Sequence, residues 1–162
     1  MRIILSPDFF QTLKDQHILF DTSVFIDAFL HPVEFGKFIN DLKTEGVTLL
    51  SLDAVRIEFL QGAQDEQKYK QKEAFFNEII DTCLPITADT FHNVYALIQK
   101  YKEDGKSLSV TDFLLGATLM QYKKVFLLTK NTAEFPDNVF TLATYMNISY
   151  KKGLHSYGIY TY

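Results

Sequence analysis

The chain is 162 residues long, 47% hydrophobic and 22% charged, with 15% aromatic residues. That is the size of one domain and the composition of a soluble globular protein, which excludes disordered, collagen-like and low-complexity classes. Sixteen Lys and Arg against 20 Asp and Glu leave a net charge of −4, so the molecule as a whole does not hold polyanions by bulk electrostatics, and any nucleic-acid site has to be local. The lone cysteine, Cys83, excludes an internal disulfide and a cysteine-based zinc site. Asp8 and Asp15 interrupt the N-terminal segment where a signal peptide needs an unbroken apolar core, and no run of ~18 apolar residues occurs. A cytoplasmic protein is expected.

Residues 17–26 read HILFDTSVFI, an apolar β-forming run that reaches Asp21 and passes into a Thr-Ser pair, as a buried strand feeding a helix does. Asp21 is thus predicted at the strand's carboxyl end. Over residues 24–45, Phe25, Phe29, Phe35, Phe38, Ile39 and Leu42 recur at helical spacing, and His31-Pro32 splits the segment into two short helices, the second closed by Gly46. VTLLSL, residues 47–52, is a second strand. Residues 54–61 are helical and carry Glu58, and the polar stretch GAQDEQKYKQK opens a further helix through Phe75, Phe76, Ile79 and Ile80. Leu84-Pro85-Ile86 is a short extended piece; Asp89 then caps a long amphipathic helix that ends near Gly105.

Ser and Thr capping chemistry in LSVTD starts a nearly all-apolar helix, and VFLLT (Val125–Thr129) is the next strand. Asn131, Glu134, Pro136 and Asp137 form a loop, VFTLA is a fifth candidate strand, and residues 143–162 are a Tyr-, Lys- and Gly-rich tail packing on the domain. The alternation of strands and helices predicts one α/β domain over residues 1–162 with three layers, α/β/α, around a mostly parallel sheet of four to five strands. Residues 1–16 form an extension ahead of it.

In such folds the site lies beyond the carboxyl ends of the strands. Three acids map there, each embedded in apolar sequence: LF-Asp21-TSVF, VRI-Glu58-FL and VT-Asp112-FLLG. Taken singly, Asp21 reads equally as a helix cap, Glu58 as a surface charge and Asp112 as a helix-start acid. Taken together, they repel by about 4 kcal/mol per pair at ~4 Å and an effective dielectric of ~20, so their convergence calls for a cation. Oxygen ligands without His or Cys favour Mg²⁺ or Mn²⁺ over zinc. His17, His31, His92 and His155 are scattered and read as structural or surface residues, and the chain has no Gly-rich phosphate loop, GxSxG or Cys/His pair at a recognised spacing.

The segments ILFDTSVFIDAF, IEFL around Glu58, SVTDFLLGATLMQY and VFLLTKNTAEFP, in this order over roughly residues 17–142, resemble the PIN-domain ribonucleases, especially VapC-type toxins of bacterial toxin–antitoxin pairs. The resemblance implies a PIN-like fold and a metal-dependent endoribonuclease in which Asp21, Glu58 and Asp112 are catalytic, metal-binding acids. A fourth acid is implied after Thr129, where Asn131 is neutral and Glu134 is the candidate. Thr22, Ser23, Thr129 and Asn131 fall where family members place polar groups near the metal. Two features depart from the toxins: residues 1–16 precede the first strand, and the chain is acidic.

The expected chemistry is attack of an activated water on an RNA phosphodiester, leaving a 3′-hydroxyl and a 5′-phosphate. Within residues 98–130, Lys100, Lys102, Lys106, Lys123, Lys124 and Lys130 outnumber Glu103, Asp104 and Asp112, a local +3. Lys106, Lys123 and Lys130 are the candidate RNA-phosphate contacts, against a plain solvated helix face. The toxin reading implies an antitoxin protein as partner; the alternative function is a catalytically inactive PIN-like module that binds RNA or protein. Phe75, Phe76 and the tyrosines Tyr145, Tyr150, Tyr157, Tyr160 and Tyr162 read either as packing within the chain or as a homodimer surface.

Overall fold

In the computed structural model, which describes residues 2–103, 105–150 and 153–162, the apolar runs read as strands in the first 130 residues are strands. Asp104 and the side chain of Tyr150 lie outside the described residues. β2 (His17–Phe20), β3 (Thr48–Leu52), β4 (Thr82–Leu84) and β5 (Val125–Thr129) are parallel, in the spatial order β5-β2-β3-β4. Leu19 stands between Leu127 and Leu50 in this register. Ile18 to Phe20, Leu49 to Leu52 and Leu127 to Thr129 are all buried. Because successive side chains point to opposite faces, both faces of this half are covered, as parallel strands joined by helices require.

The sheet is wider than expected. It holds seven strands among the described residues, because β1 (Arg2–Leu5), β6 (Thr141–Tyr150) and β7 (Gly153–Thr161) add an antiparallel half in the order β1-β6-β7-β5. The extension thus contributes one strand, followed by the helix Phe9–Leu13, the tail is sheet, and the fifth candidate strand starts at Thr141 and continues to Tyr150. The polar residues Thr144, Asn147 and Ser149 weaken the apolar signal of β6, and a register shift between Leu142 and Thr144 breaks its period of two.

Helices α2 (Thr22–Leu30) and α3 (Pro32–Thr44) meet at His31, with Pro32 at the first helical position where its missing N–H costs nothing. Gly46, at φ +78°, ends α3 in a conformation that glycine adopts without strain. α1 (Phe9–Leu13), α4 (Asp53–Gln61), α5 (Glu66–Ile79), α6 (Ala88–Glu103) and α7 (Val110–Gln121) complete the helices. Phe25 of α2, fully buried, stacks on Phe76 of α5 at 4.7 Å and touches Phe59 of α4 at 5.6 Å, so one aromatic cluster locks three helices together. Phe76, Tyr157 and Tyr160 are buried within the chain, whereas Tyr145 and Tyr162 are exposed. No helix among the described residues is long and apolar enough to cross a membrane.

Candidate active site

Asp21 leaves the end of β2, near the middle of the sheet, and caps α2. It is 2% exposed, and both oxygens of its carboxylate are hydrogen-bonded: Oδ1 accepts the Thr22 N–H at 2.6 Å, and Oδ2 accepts the Ser23 hydroxyl at 2.7 Å, the Thr129 hydroxyl at 2.7 Å and the Asn131 amide at 3.4 Å. Burial raises its pKa above the ordinary value of 3.8 against the pull of the Ser23, Thr129 and Thr22 donors, and Glu58 raises it further. Capping and site membership are therefore one geometry: the sharp strand-to-helix turn needs an acceptor, and the same carboxylate stands at the sheet's open edge.

Each of the other two apolar-embedded acids is likewise met by a hydroxyl. Glu58 of α4 accepts the Thr22 hydroxyl at 2.5 Å, so Thr22 joins Asp21 to Glu58 through its backbone and its side chain. Asp112, in the first turn of α7, accepts the Ser109 hydroxyl at 2.7 Å and returns its backbone N–H to the same oxygen. Its carboxyl is raised first by burial and then by Asp21, Glu134 and Glu58 in turn. Glu134 ends the 3-10 turn Thr132–Glu134 after β5, a loop pinned where Tyr101 donates to the Glu134 carbonyl at 2.6 Å. Asp21, Glu58, Asp112 and Glu134 thus share one electrostatic neighbourhood although they come from four separate segments.

Among the described residues no three His, Cys, Asp or Glu side chains are placed to close around a metal ion. The donor chemistry nonetheless fits a hard divalent cation, since all four candidates are carboxylates. Hydroxyl donors meet the carboxylates of Asp21, Glu58 and Asp112.

The lysines are dispersed. Lys106 is exposed and reaches the Ala133 carbonyl at 3.4 Å, one residue from Glu134. Lys130 turns away to the buried Asp27 carboxylate at 3.0 Å. Lys123 precedes β5 and lines a groove with His17, the first residue of β2, so it stands at the opposite end of the strands from Asp21 and not beside the acids. The reason is topological: α7 carries the chain from Asp112 back across the sheet before β5 begins.

Asp27 and Tyr157 were missed. The Tyr157 hydroxyl donates to Asp27 Oδ2, Lys130 Nζ bonds the same oxygen, and the Lys130 backbone N–H donates to Ser23 Oγ at 3.2 Å. A hydrogen-bonded path therefore runs from β7 to Asp21. Asp27 carries the same signal as the other acids, a carboxylate inside the apolar run VFIDAF, but its partner lies 130 residues away and no local pattern points to it.

Curated proteins give no match to the sequence. A solved structure, VapBC2 from Rickettsia felis bound to a DNA fragment from their promoter, superposes with a TM-score of 0.63 at 15% identity, over 73% of this chain and 90% of that one. This likeness is one of fold. The family model of the PIN domain matches residues 18–138, a span that contains β2 to β5 and all four carboxylates, and the chain therefore belongs to the PIN-domain family.

Proposed function

We propose that the chain is a divalent-metal-dependent endoribonuclease, acting as the toxin of a toxin–antitoxin pair. The observation that supports the nuclease reading is the Thr22 bridge that sets Glu58 beside Asp21 at the carboxyl end of β2, within the span that matches the PIN domain. PIN domains are in general nucleases, and those nucleases in general use divalent ions. Asp21 and Asp112 are assigned as the primary metal ligands, with Glu58 completing the set and Glu134 at its outer side. These residues would hold the Mg²⁺ or Mn²⁺, which when bound would supply positive charge near the scissile phosphate and lower the pKa of water so that hydroxide is available for attack.

The chain's own residues prepare that site. Ser23, Thr129 and Asn131 fix the Asp21 carboxylate, Thr22 fixes Glu58 and Ser109 fixes Asp112, so the carboxylates are oriented before any ligand arrives. Lys106, exposed next to the Glu134 loop, is placed to meet a substrate phosphate. The toxin role rests on the VapC-type motifs of the sequence; the VapBC2 neighbour is a complex of such a toxin type with its partner, and we read a small antitoxin protein as the partner here.

The deciding experiment incubates the purified protein with a mixed RNA pool, with and without Mg²⁺ or Mn²⁺, and maps the ends. Metal-dependent cleavage to 3′-hydroxyl and 5′-phosphate ends, abolished in a folded Asp21→Asn variant, supports the reading. Full activity in Asp21→Asn overturns the site. Absence of both cleavage and carboxylate-dependent Mn²⁺ binding by calorimetry identifies a catalytically inactive binding module instead.

A further inference from the structure

The β6–β7 hairpin lies beyond the segment that matches the PIN family and builds one wall of a groove of about 740 Å³. One face of the hairpin faces the core, through Met146, Ile148, Tyr157 and Ile159, all buried. On the other face the pairing sets Ile4, Asn147 and Ser156 side by side and Tyr145 opposite Gly158. Tyr145 keeps 47% of its surface exposed there. A Cβ at Gly158 would overlap the Tyr160 ring, so the missing side chain lets that ring lie across the strand, where it also packs on Phe135 at 5.7 Å. The groove thus has a flat, partly aromatic floor.

Its second wall is the loop that carries Glu134, through Thr132, Ala133 and Pro136, with Lys106 and Asp137 at the rim. The groove shares this loop with the acids: Thr132, Ala133 and Phe135, which line it, flank Glu134 in the chain. Base rings stack on exposed aromatic faces without regard to sequence. Ser156 donates to Asn147 Oδ1 at 2.7 Å, which keeps the Asn147 amide nitrogen as a donor for a base edge. The Asp137 carboxylate repels phosphate and accepts from N–H and O–H groups, so a base edge or a ribose hydroxyl, not a phosphate, suits that side of the groove, while Lys106 and, on the face of Ile4, Arg2 supply cationic charge for the phosphates. An apolar protein segment suits it poorly, because polar Asn147, Ser156 and Asp137 interrupt the aromatic surface.

We infer that this groove is a base-binding subsite for single-stranded RNA next to the scissile phosphate, with Tyr145 as the stacking platform and Asn147 on the base edge. The inference rests on the nuclease reading for the polymer's entry point, and its test separates the two. Binding is measured by fluorescence anisotropy on the full chain carrying Asp21→Asn, with a short labelled single-stranded oligoribonucleotide and with the same strand annealed to its complement. Adding Tyr145→Ala is expected to weaken single-strand binding about tenfold. Tyr145→Phe is expected to restore it, and duplex binding and the thermal midpoint are expected to stay unchanged. Asn147→Ala, a second surface variant, is expected to cost severalfold.

Cleavage by the native chain is followed in parallel. Native cleavage together with unchanged single-strand affinity in both groove variants overturns the subsite and leaves the nuclease standing. Weakened affinity without native cleavage supports the RNA platform and removes the nuclease. If Tyr145→Ala instead changes the mass of the protein in solution by light scattering, with RNA affinity unaltered, the face is an interface between copies and the inference falls.

Discussion

The two halves of the sheet bury their strands in different ways. In β2, β3 and β5 nearly every side chain is buried, whereas β1 and β6 alternate between exposed and covered positions. The parallel half is walled by helices on both faces, and its open edge is the line of strand ends where Asp21 and the Thr129 hydroxyl meet. The antiparallel half leaves part of one face open, at Ile4, Tyr145 and Ser156, while Tyr160 on the same face is covered by Phe135. On the proposed function, chemistry that needs preorganised, desolvated carboxylates would fall to the first half and contact with an extended ligand to the second. The halves join at β5–β7, where Thr129 pairs with Gly158, and through the bonds of Tyr157 and Lys130 to Asp27.

The largest expected effect tests the difference in burial. Phe25→Ala, in the aromatic cluster of the parallel half, is predicted to cost about 3–5 kcal/mol in denaturant unfolding, while Ile4→Ala on the open face, where Ile4 is 43% exposed, is predicted to stay within about 0.5 kcal/mol. Equal costs would remove the contrast. Next, Asp112→Asn is predicted to lower metal-dependent cleavage on the order of a hundredfold or more while retaining the native circular-dichroism spectrum. A rate within twofold of native would place Asp112 outside the chemistry.

The join between the halves is tested by Tyr157→Phe. Losing the buried donor to Asp27 is predicted to cost about 1–3 kcal/mol and to slow cleavage several-fold, as the loop of Lys130 and Asn131 loosens. Stability reduced with an unchanged cleavage rate would show that the hairpin supports the fold alone.

The acidic edge also predicts a pH dependence. Asp21 and Asp112 are raised above their ordinary 3.8, chiefly by burial, so the folded chain holds protons that the unfolded chain has released. Their contribution to stability is complete below pH 3.8 and is lost as pH rises through the folded values. Melting of metal-free protein should show this decline just above pH 3.8, smaller in Asp112→Asn, and added Mn²⁺ should offset it at neutral pH by binding the ionised carboxylates. An identical profile in Asp112→Asn would assign the decline elsewhere. The smallest effect separates two lysines: Lys106→Ala should lower RNA affinity and reduce the salt slope by about one, whereas Lys123→Ala, at the far end of the strands, should change neither. The reverse result would move the RNA path to the other end of the sheet.

These contrasts also mark where sequence reading succeeded. The runs ILF, TLLSL and VFLLT were legible because a strand buried on both faces is apolar throughout and needs no partner to be recognised. Asp21, Glu58 and Asp112 stood out because a carboxylate among apolar residues is costly unless it is held. The hairpin was read as a tail because a one-faced strand mixes polar and apolar residues, and its bulge breaks the alternation. The fate of Lys123, Lys130 and Asp27 was illegible for another reason: each depends on which end of the sheet a crossover delivers, or on a partner such as Tyr157 far along the chain.

By itself, then, the sequence determined the order of strands and helices between residues 17 and 129, the break at His31-Pro32 and the place of Asp21 and Asp112 at helix starts, because periodicity, caps and turn residues act within a few positions. Tertiary structure alone decided that two terminal segments widen the sheet to seven strands, that Lys130 is drawn to Asp27, and that the Gly158–Tyr160 floor lies beside the Glu134 loop. The β1–β6 pairing and the Lys130–Asp27 bond connect residues more than 100 positions apart, and such pairings leave no local trace in composition or spacing.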